Sequence, residues 1–130
     1  MRILLGVSAL IEFVAGLAIM TAPSPTARLL LGTPLEGPSA AAVAGVAGAA
    51  LLALAVACGL AWGDEHGMAA GRVVAAMLVY NLAVTAVLVS SGLGPPPHGV
   101  ALWPAVLLHA ALAVWCVACL RGRATGPSRV

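Results

Sequence analysis

The sequence predicts an all-α integral membrane protein, a four-helix bundle in which residues 1–130 form a single transmembrane domain. The chain is 62% hydrophobic and only 8% charged, whereas soluble domains carry about 25% charged residues. Because so few charges cannot cover a surface in water, we expect the chain to lie in a lipid bilayer. Four apolar segments come near the ~20 residues that a helix needs to cross a bilayer: residues 3–20, 39–62, 70–90 and 99–120.

The first segment begins directly after Arg2, as a secretory signal peptide would. We expect an uncleaved span instead, because Glu12 interrupts the apolar run and Met20 stands where cleavage requires a small residue. The stretches between the segments are rich in helix breakers: TAPSPTARLLLGTPLEGP, GDEHG and SGLGPPPHG. The segments show no strict two-residue alternation, which argues against the strands of a membrane barrel.

Arginine is unevenly distributed over the two sides of the predicted membrane. With four spans, the N-terminus, the second loop and the C-terminal tail share one side, which carries most of the basic residues: Arg2, Arg72, Arg121, Arg123 and Arg129. Only Arg28 lies opposite. Because cytoplasmic loops carry the excess of positive charge, we expect both termini to be cytoplasmic. The absence of lysine, with abundant Ala, Gly and Pro, favours a GC-rich bacterial genome and hence the bacterial inner membrane.

Several residues indicate how the spans are anchored and packed. Trp62 and Trp103 lie near span ends, as interfacial anchors do. In the long first loop we expect residues 27–31, ARLLL, to lie along the outer interface. The second span carries two ridges of small residues, which permit close helix approach. The first ridge consists of Ala41, Gly45 and Ala49, and it is a possible contact surface in a homo- or hetero-oligomer. The second ridge consists of Ala44 and Gly48.

Three spans each carry one strongly polar residue at a similar depth. Glu12, Asn81 and His109 lie nine to twelve residues from the arginine at the cytoplasmic end of their span, which is roughly 13–18 Å. Since the hydrocarbon core is ~30 Å thick, all three are predicted near its midplane. A carboxylate exposed to lipid there costs ~2.5–3.5 kcal/mol. We therefore expect the three side chains to meet inside the bundle, with Glu12 as the partner of His109.

Helical spacing places further residues beside these three. The predicted ligand or proton site comprises Glu12, Asn81, His109 and Tyr80, with Ser8, Thr85 and Cys116 as secondary members. In this hypothesis Glu12 carries or accepts a proton, His109 pairs with it, and Asn81 orients a ligand together with Tyr80. The alternative is a purely structural clasp, in which the three polar residues only hydrogen-bond neighbouring helices together.

Other kinds of site find less support in the sequence. No further ligand set is evident at the depth of Glu12, so we expect neither a metal centre nor a cofactor. Cys116 and Cys119 form a CxxC pair, but they lie near a helix C-terminus, and with Cys58 we interpret them as small apolar residues. His66 and His98 are predicted to be solvated loop residues. A net charge of +2 without a basic patch excludes a nucleic-acid surface.

The segment Arg2-Ile-Leu-Leu-Gly6, with Ala15-Gly16 and Pro23 ending the span, resembles the first helix of the DoxX-like superfamily of small bacterial membrane proteins. The resemblance covers about a quarter of the chain, and the predicted four spans and the chain length are similar to that family. It implies a role beside quinone-linked or thiol-stress redox partners, and no catalytic residue is carried over from it.

The sequence thus predicts a membrane protein whose polar site binds a small lipophilic molecule or handles a proton, as an accessory to a redox system. Three alternatives stay open: an enzyme acting on an isoprenoid or quinone-like substrate, a small proton-coupled transporter, and a structural subunit. Glu12 resembles the first-helix glutamate of small multidrug-resistance transporters in place and depth. However, the strong arginine bias argues against an antiparallel dimer of identical chains.

Overall fold

All regular secondary structure in the described part of the chain is helical. The computed structural model describes residues 1–64 and 68–124, so His66 and Arg129 of the sequence predictions lie outside the described residues. The helices are α1 (Arg2–Thr21), α2 (Pro23–Leu31), α3 (Gly37–Trp62), α4 (Met68–Gly92) and α5 (Leu102–Ala124). Four of them, α1, α3, α4 and α5, are long and apolar enough to cross a membrane. They correspond to the four predicted segments and indicate a multi-pass membrane protein.

The short helix α2 is where the structure adds most to the sequence prediction. Pro23 stands at its first position, where a missing N–H is harmless and the fixed φ favours the helix. Gly32 ends α2 in a left-handed conformation at φ 84°, which glycine adopts without strain. The stretch expected to lie along the interface, residues 27–31, is thus the second half of a nine-residue helix that begins at Pro23.

The four long helices pack as two close pairs, α1 with α3 and α4 with α5. In the first pair the backbones meet at Gly16 and Gly48: a Cβ added to Gly16 would lie 2.8 Å from the carbonyl oxygen of Gly48. A Cβ added to Gly48 would lie 2.9 Å from the carbonyl oxygen of Gly16. Only glycine allows this approach, so Gly48 of the second predicted ridge is a close contact between α1 and α3.

One half of the molecule contains the start of α1, the end of α3, the start of α4 and the end of α5, and we call it the arginine half. Its centre is a single cluster of buried side chains from all four long helices: Leu4, Leu5, Cys58, Ala61, Ala70, Val74, Met77, Leu112 and Cys116. At its edge the guanidinium of Arg2 lies 5.3 Å from the ring centre of Trp62, a cation–π contact that joins the ends of α1 and α3.

The opposite half, which we call the α2 half, has a smaller buried cluster of Leu88, Leu102 and Val106. Helix α2 is attached here to the chain before α5, because the backbone N–H of Ala101 donates to the carbonyl oxygen of Leu29 at 2.9 Å. Any side chain at Gly99 would overlap the backbone of Leu29. Helix α2 therefore lies against the start of α5 as well as the end of α1.

Large apolar side chains cover the outside of the long helices, for example Leu10, Val46, Leu60, Val79 and Val114, each at least 60% exposed. Such a surface is stable in lipid and not in water. The ridge of Ala41, Gly45 and Ala49 also faces outward, and a Cβ at Gly45 would meet nothing within 4 Å. Its role as an oligomer contact stays a prediction.

Candidate functional site

A cavity of about 360 Å³ lies between the two helix pairs, in the α2 half. Four long helices and α2 contribute to its wall, which is mostly aliphatic: Ile11, Glu12, Ala15, Ile19, Thr26, Leu29, Leu30, Leu51, Tyr80, Val84, Leu88, Ala101, Ala105, Leu108 and His109. Three of the predicted site residues, Glu12, Tyr80 and His109, are in this wall. Cavities of this size and apolar character are typical of small-molecule sites.

Glu12 is the most deeply buried ionisable side chain of the cavity wall, with 1% of its surface exposed. Its Oε2 accepts a hydrogen bond from the Tyr80 hydroxyl at 3.1 Å, which connects α1 to α4. Its Oε1 has no hydrogen-bond partner among residues 1–64 and 68–124, and neither has the hydroxyl of Ser8 one turn earlier on α1. Buried polar atoms are almost always hydrogen-bonded, so the unpartnered Oε1 of Glu12 and hydroxyl of Ser8 are exceptions to that rule.

His109 is held by Asn81, which is itself fully buried. The Nδ2 amide of Asn81 donates to the carbonyl oxygen of Met77 at 2.7 Å, which leaves Oδ1 as the acceptor facing His109. The His109 Nδ1 lies 2.8 Å from that Oδ1, so Nδ1 carries the proton. In the neutral imidazole, Nε2 is then an unprotonated acceptor. No hydrogen bond of Nε2 is present within the described part of the chain.

The pairing of the polar residues differs from the sequence prediction, which made Glu12 the partner of His109. The hydrogen-bond partner of His109 is Asn81, and that of Glu12 is Tyr80. The two pairs meet through their rings, since Tyr80 and His109 pack edge to face with centroids 5.7 Å apart. The reason is that Tyr80 and Asn81, adjacent on α4, face different helices: Tyr80 bonds to Glu12 on α1, and Asn81 bonds to His109 on α5.

The secondary members of the predicted site lie outside the cavity wall. Ser8 is buried on the α1 face that also carries Glu12. The hydroxyl of Thr85 donates to the backbone carbonyl oxygen of Asn81 at 2.7 Å, a bond within α4. Cys116 is buried in the core of the arginine half and is a free thiol, as is Cys58 in the same cluster.

Sequence reasoning missed the contribution of α2 to this site. Thr26, Leu29 and Leu30 line the cavity from a helix that was expected to lie on the membrane surface. The available signal was Pro23 at a helix start followed by three consecutive leucines, which indicates a short helix with an apolar face. Which part of the molecule that face would contact is a matter of tertiary packing.

The remaining candidate ligands do not gather into a metal site. Within residues 1–64 and 68–124, no group of three His, Cys, Asp or Glu side chains could hold a metal ion. His98 is exposed in the loop between α4 and α5. The polar side chains of the cavity wall are therefore a carboxyl group, a phenol, an imidazole and the hydroxyl of Thr26.

Comparison of the chain with protein-family models, with curated proteins and with solved structures finds no match.

Proposed function

We propose that this protein is a multi-pass protein of the bacterial inner membrane, with both termini cytoplasmic, that binds a small lipophilic molecule in the cavity beside Glu12. In this proposal Glu12 accepts or carries a proton at the polar end of the ligand. Tyr80 and His109 position that end, and Asn81 holds the imidazole. The observation that carries the proposal is the free Oε1 of a fully buried carboxyl group in the wall of an apolar cavity.

The size of the cavity suits a small ligand. At the ~30 Å³ that one water molecule takes in the liquid, a volume of about 360 Å³ accommodates roughly a dozen non-hydrogen atoms. Aliphatic side chains such as Ile19, Val84 and Leu108 form most of the wall, and they favour an apolar body that enters from the lipid. A role as accessory to a redox system is part of the proposal, and its support is the resemblance of the first helix to the DoxX-like superfamily.

A structural clasp is the competing explanation, because the two hydrogen-bonded pairs connect α1 and α5 to α4. However, a clasp requires only groups that satisfy one another. It accounts for neither the unpartnered Oε1 of Glu12 nor the cavity beside it. An apolar or amide residue at position 12 would hold the helices together at lower cost in lipid.

The proposal is tested by filling the cavity. Ala105 lies in the wall on α5, and Ala111 is exposed on the same helix, so Ala105→Phe and Ala111→Phe form a matched pair. In lipid nanodiscs, thermal unfolding is measured with four decyl compounds: decane, decanol, decylamine and decanoic acid. We expect at least one of them to raise the Tm of the wild type and of Ala111→Phe, because a ligand that binds the folded state stabilises it.

The same compound should leave the Tm of Ala105→Phe unchanged. Ala101→Phe, also in the wall, serves as a second cavity-filling variant should Ala105→Phe not fold. If no compound stabilises the wild type more than the filled variants, the cavity is not a binding site for such molecules and the clasp explanation prevails.

A further inference from the structure

We propose that the cavity selects a ligand whose polar end is a cationic hydrogen-bond donor, namely a protonated primary or secondary amine on an apolar body. This inference rests on the proposed function and names the chemical class of its ligand. It follows from an inventory of donors, acceptors and charges at the cavity wall.

The free hydrogen-bonding capacity of the cavity consists of acceptors. Oε1 of Glu12 has no partner within the described residues, and in its ionised form the carboxyl group only accepts hydrogen bonds. Nε2 of neutral His109 is likewise an acceptor, because Nδ1 carries the proton toward Asn81. The hydroxyl donors of the wall are already committed, that of Tyr80 to Oε2 of Glu12 and that of Thr26 to backbone carbonyl oxygens at the end of α1. A ligand that satisfies this site must therefore bring N–H or O–H donors.

The charges at the cavity select among such donors. Neither Arg nor Lys occurs among the described residues of the wall, so the protein supplies no cation to Glu12 from the cavity side. An unpaired carboxyl group in an apolar site avoids a buried charge by keeping its proton, whereas a hydrogen-bonded cation stabilises the ionised form. A neutral alcohol would supply a donor without the charge, whereas a fatty acid would add a second negative charge. An ammonium group supplies both the donors and the charge.

The apolar part of the wall selects the body of the ligand. The side chains around Glu12 are aliphatic, including Ile11, Leu51 and Leu108. The head group of an amine would thus lie at Glu12 and His109 while its hydrocarbon part fills the space toward α2. A ligand of roughly a dozen non-hydrogen atoms, such as a ten-carbon alkylamine, matches the cavity of about 360 Å³.

The test compares head groups on one tail. Tm is measured in nanodiscs as a function of the concentration of decylamine, decanol, decanoic acid and decyltrimethylammonium, the last being a cation without N–H donors. At neutral pH decylamine is protonated. We expect decylamine to bind the wild type roughly tenfold or more tightly than the other three compounds, because hydrogen bonds to charged groups are the stronger ones.

Glu12→Gln should lower the affinity for decylamine by roughly tenfold or more and change that for decanol far less. Glu36→Gln is the matched control, since Glu36 is exposed before α3 and is not part of the wall, and it should bind decylamine as the wild type does. Equal affinities for decylamine and decanol, or an unchanged affinity for decylamine in Glu12→Gln, would overturn the inference on the head group while leaving a lipophilic binding site intact. Stabilisation by none of the compounds would overturn the proposed function as well.

Discussion

The arginine half and the α2 half of the molecule are built from the same four long helices, yet only the arginine half is filled by packed side chains. In the arginine half, side chains from all four helices meet in one buried cluster that includes Leu5, Met77 and Cys116. In the α2 half the buried cluster is small, and the space between the helix pairs is a cavity covered by α2. Glu12, Tyr80 and His109 stand where the packed core gives way to the cavity.

This difference teaches that the polar residues are not simply buried between packed surfaces. Glu12 is hydrogen-bonded to Tyr80, and His109 is hydrogen-bonded to Asn81, so both are held by residues of α4. Oε1 of Glu12 and Nε2 of His109 have no hydrogen-bond partner within the described residues, and both side chains belong to the cavity wall. If these residues served only to stabilise the fold, we would expect apolar side chains to fill the space beside them. The proposed ligand site is the cavity beside these residues.

The largest expected effect comes from separating α1 from α3, because both helices run through both halves of the molecule. Gly48→Leu places side-chain atoms where a Cβ alone would lie 2.6 Å from Met20 Cγ and 2.9 Å from the carbonyl oxygen of Gly16. We expect a loss of more than about 3 kcal/mol in unfolding free energy, the upper end of overpacking effects, measured by denaturation in detergent. Gly59→Leu is the control, since a Cβ at Gly59 meets nothing within 4 Å. Similar losses in both variants would contradict the close contact of the two helices.

A smaller effect should distinguish the two halves directly. Leu5 is completely buried in the arginine half, whereas Leu88 is 6% exposed and borders the cavity. We expect Leu5→Ala to lower the unfolding free energy by about 2 to 3 kcal/mol and Leu88→Ala by about half as much, because Leu88 has fewer packed neighbours to lose. The same denaturation measurement applies. A larger loss for Leu88→Ala would mean that the α2 half is packed in solution and that the cavity is closed.

The smallest expected effect concerns the hydrogen bond at the boundary between the halves. Tyr80→Phe removes the donor to Oε2 of Glu12, and such bonds contribute about 0.6 kcal/mol, and at most about 1.7 kcal/mol, in measured membrane proteins. We expect a loss within that range. Thr21→Val, which removes an exposed hydroxyl bonded to the carbonyl oxygen of Leu17, is the control and should change stability less. A loss well above that range for Tyr80→Phe would favour the clasp over the binding site.

Much of the architecture was predictable because it depends on local properties of the chain. The low charge content, four apolar runs and the Pro- and Gly-rich breaks predicted the four long helices, and their bounds differ by only a few residues from the predicted ones. The burial of Ser8, Glu12 and Gly16 on one face of α1 followed from helical spacing. The burial of Asn81 followed from the cost of a polar group in lipid.

Tertiary packing decided the rest, because the identity of a partner depends on which helix faces which. Spacing along α4 does not reveal that Tyr80 turns toward Glu12 and Asn81 toward His109. Nor does it reveal that α2 covers a space left open between the two helix pairs. The sequence alone determined that this chain forms apolar helices with a few buried polar groups, since the solvent and the helical period impose that. Only the tertiary structure determined that one oxygen of a buried carboxyl group lacks a partner in the wall of a cavity, because that depends on where side chains from five helices leave space.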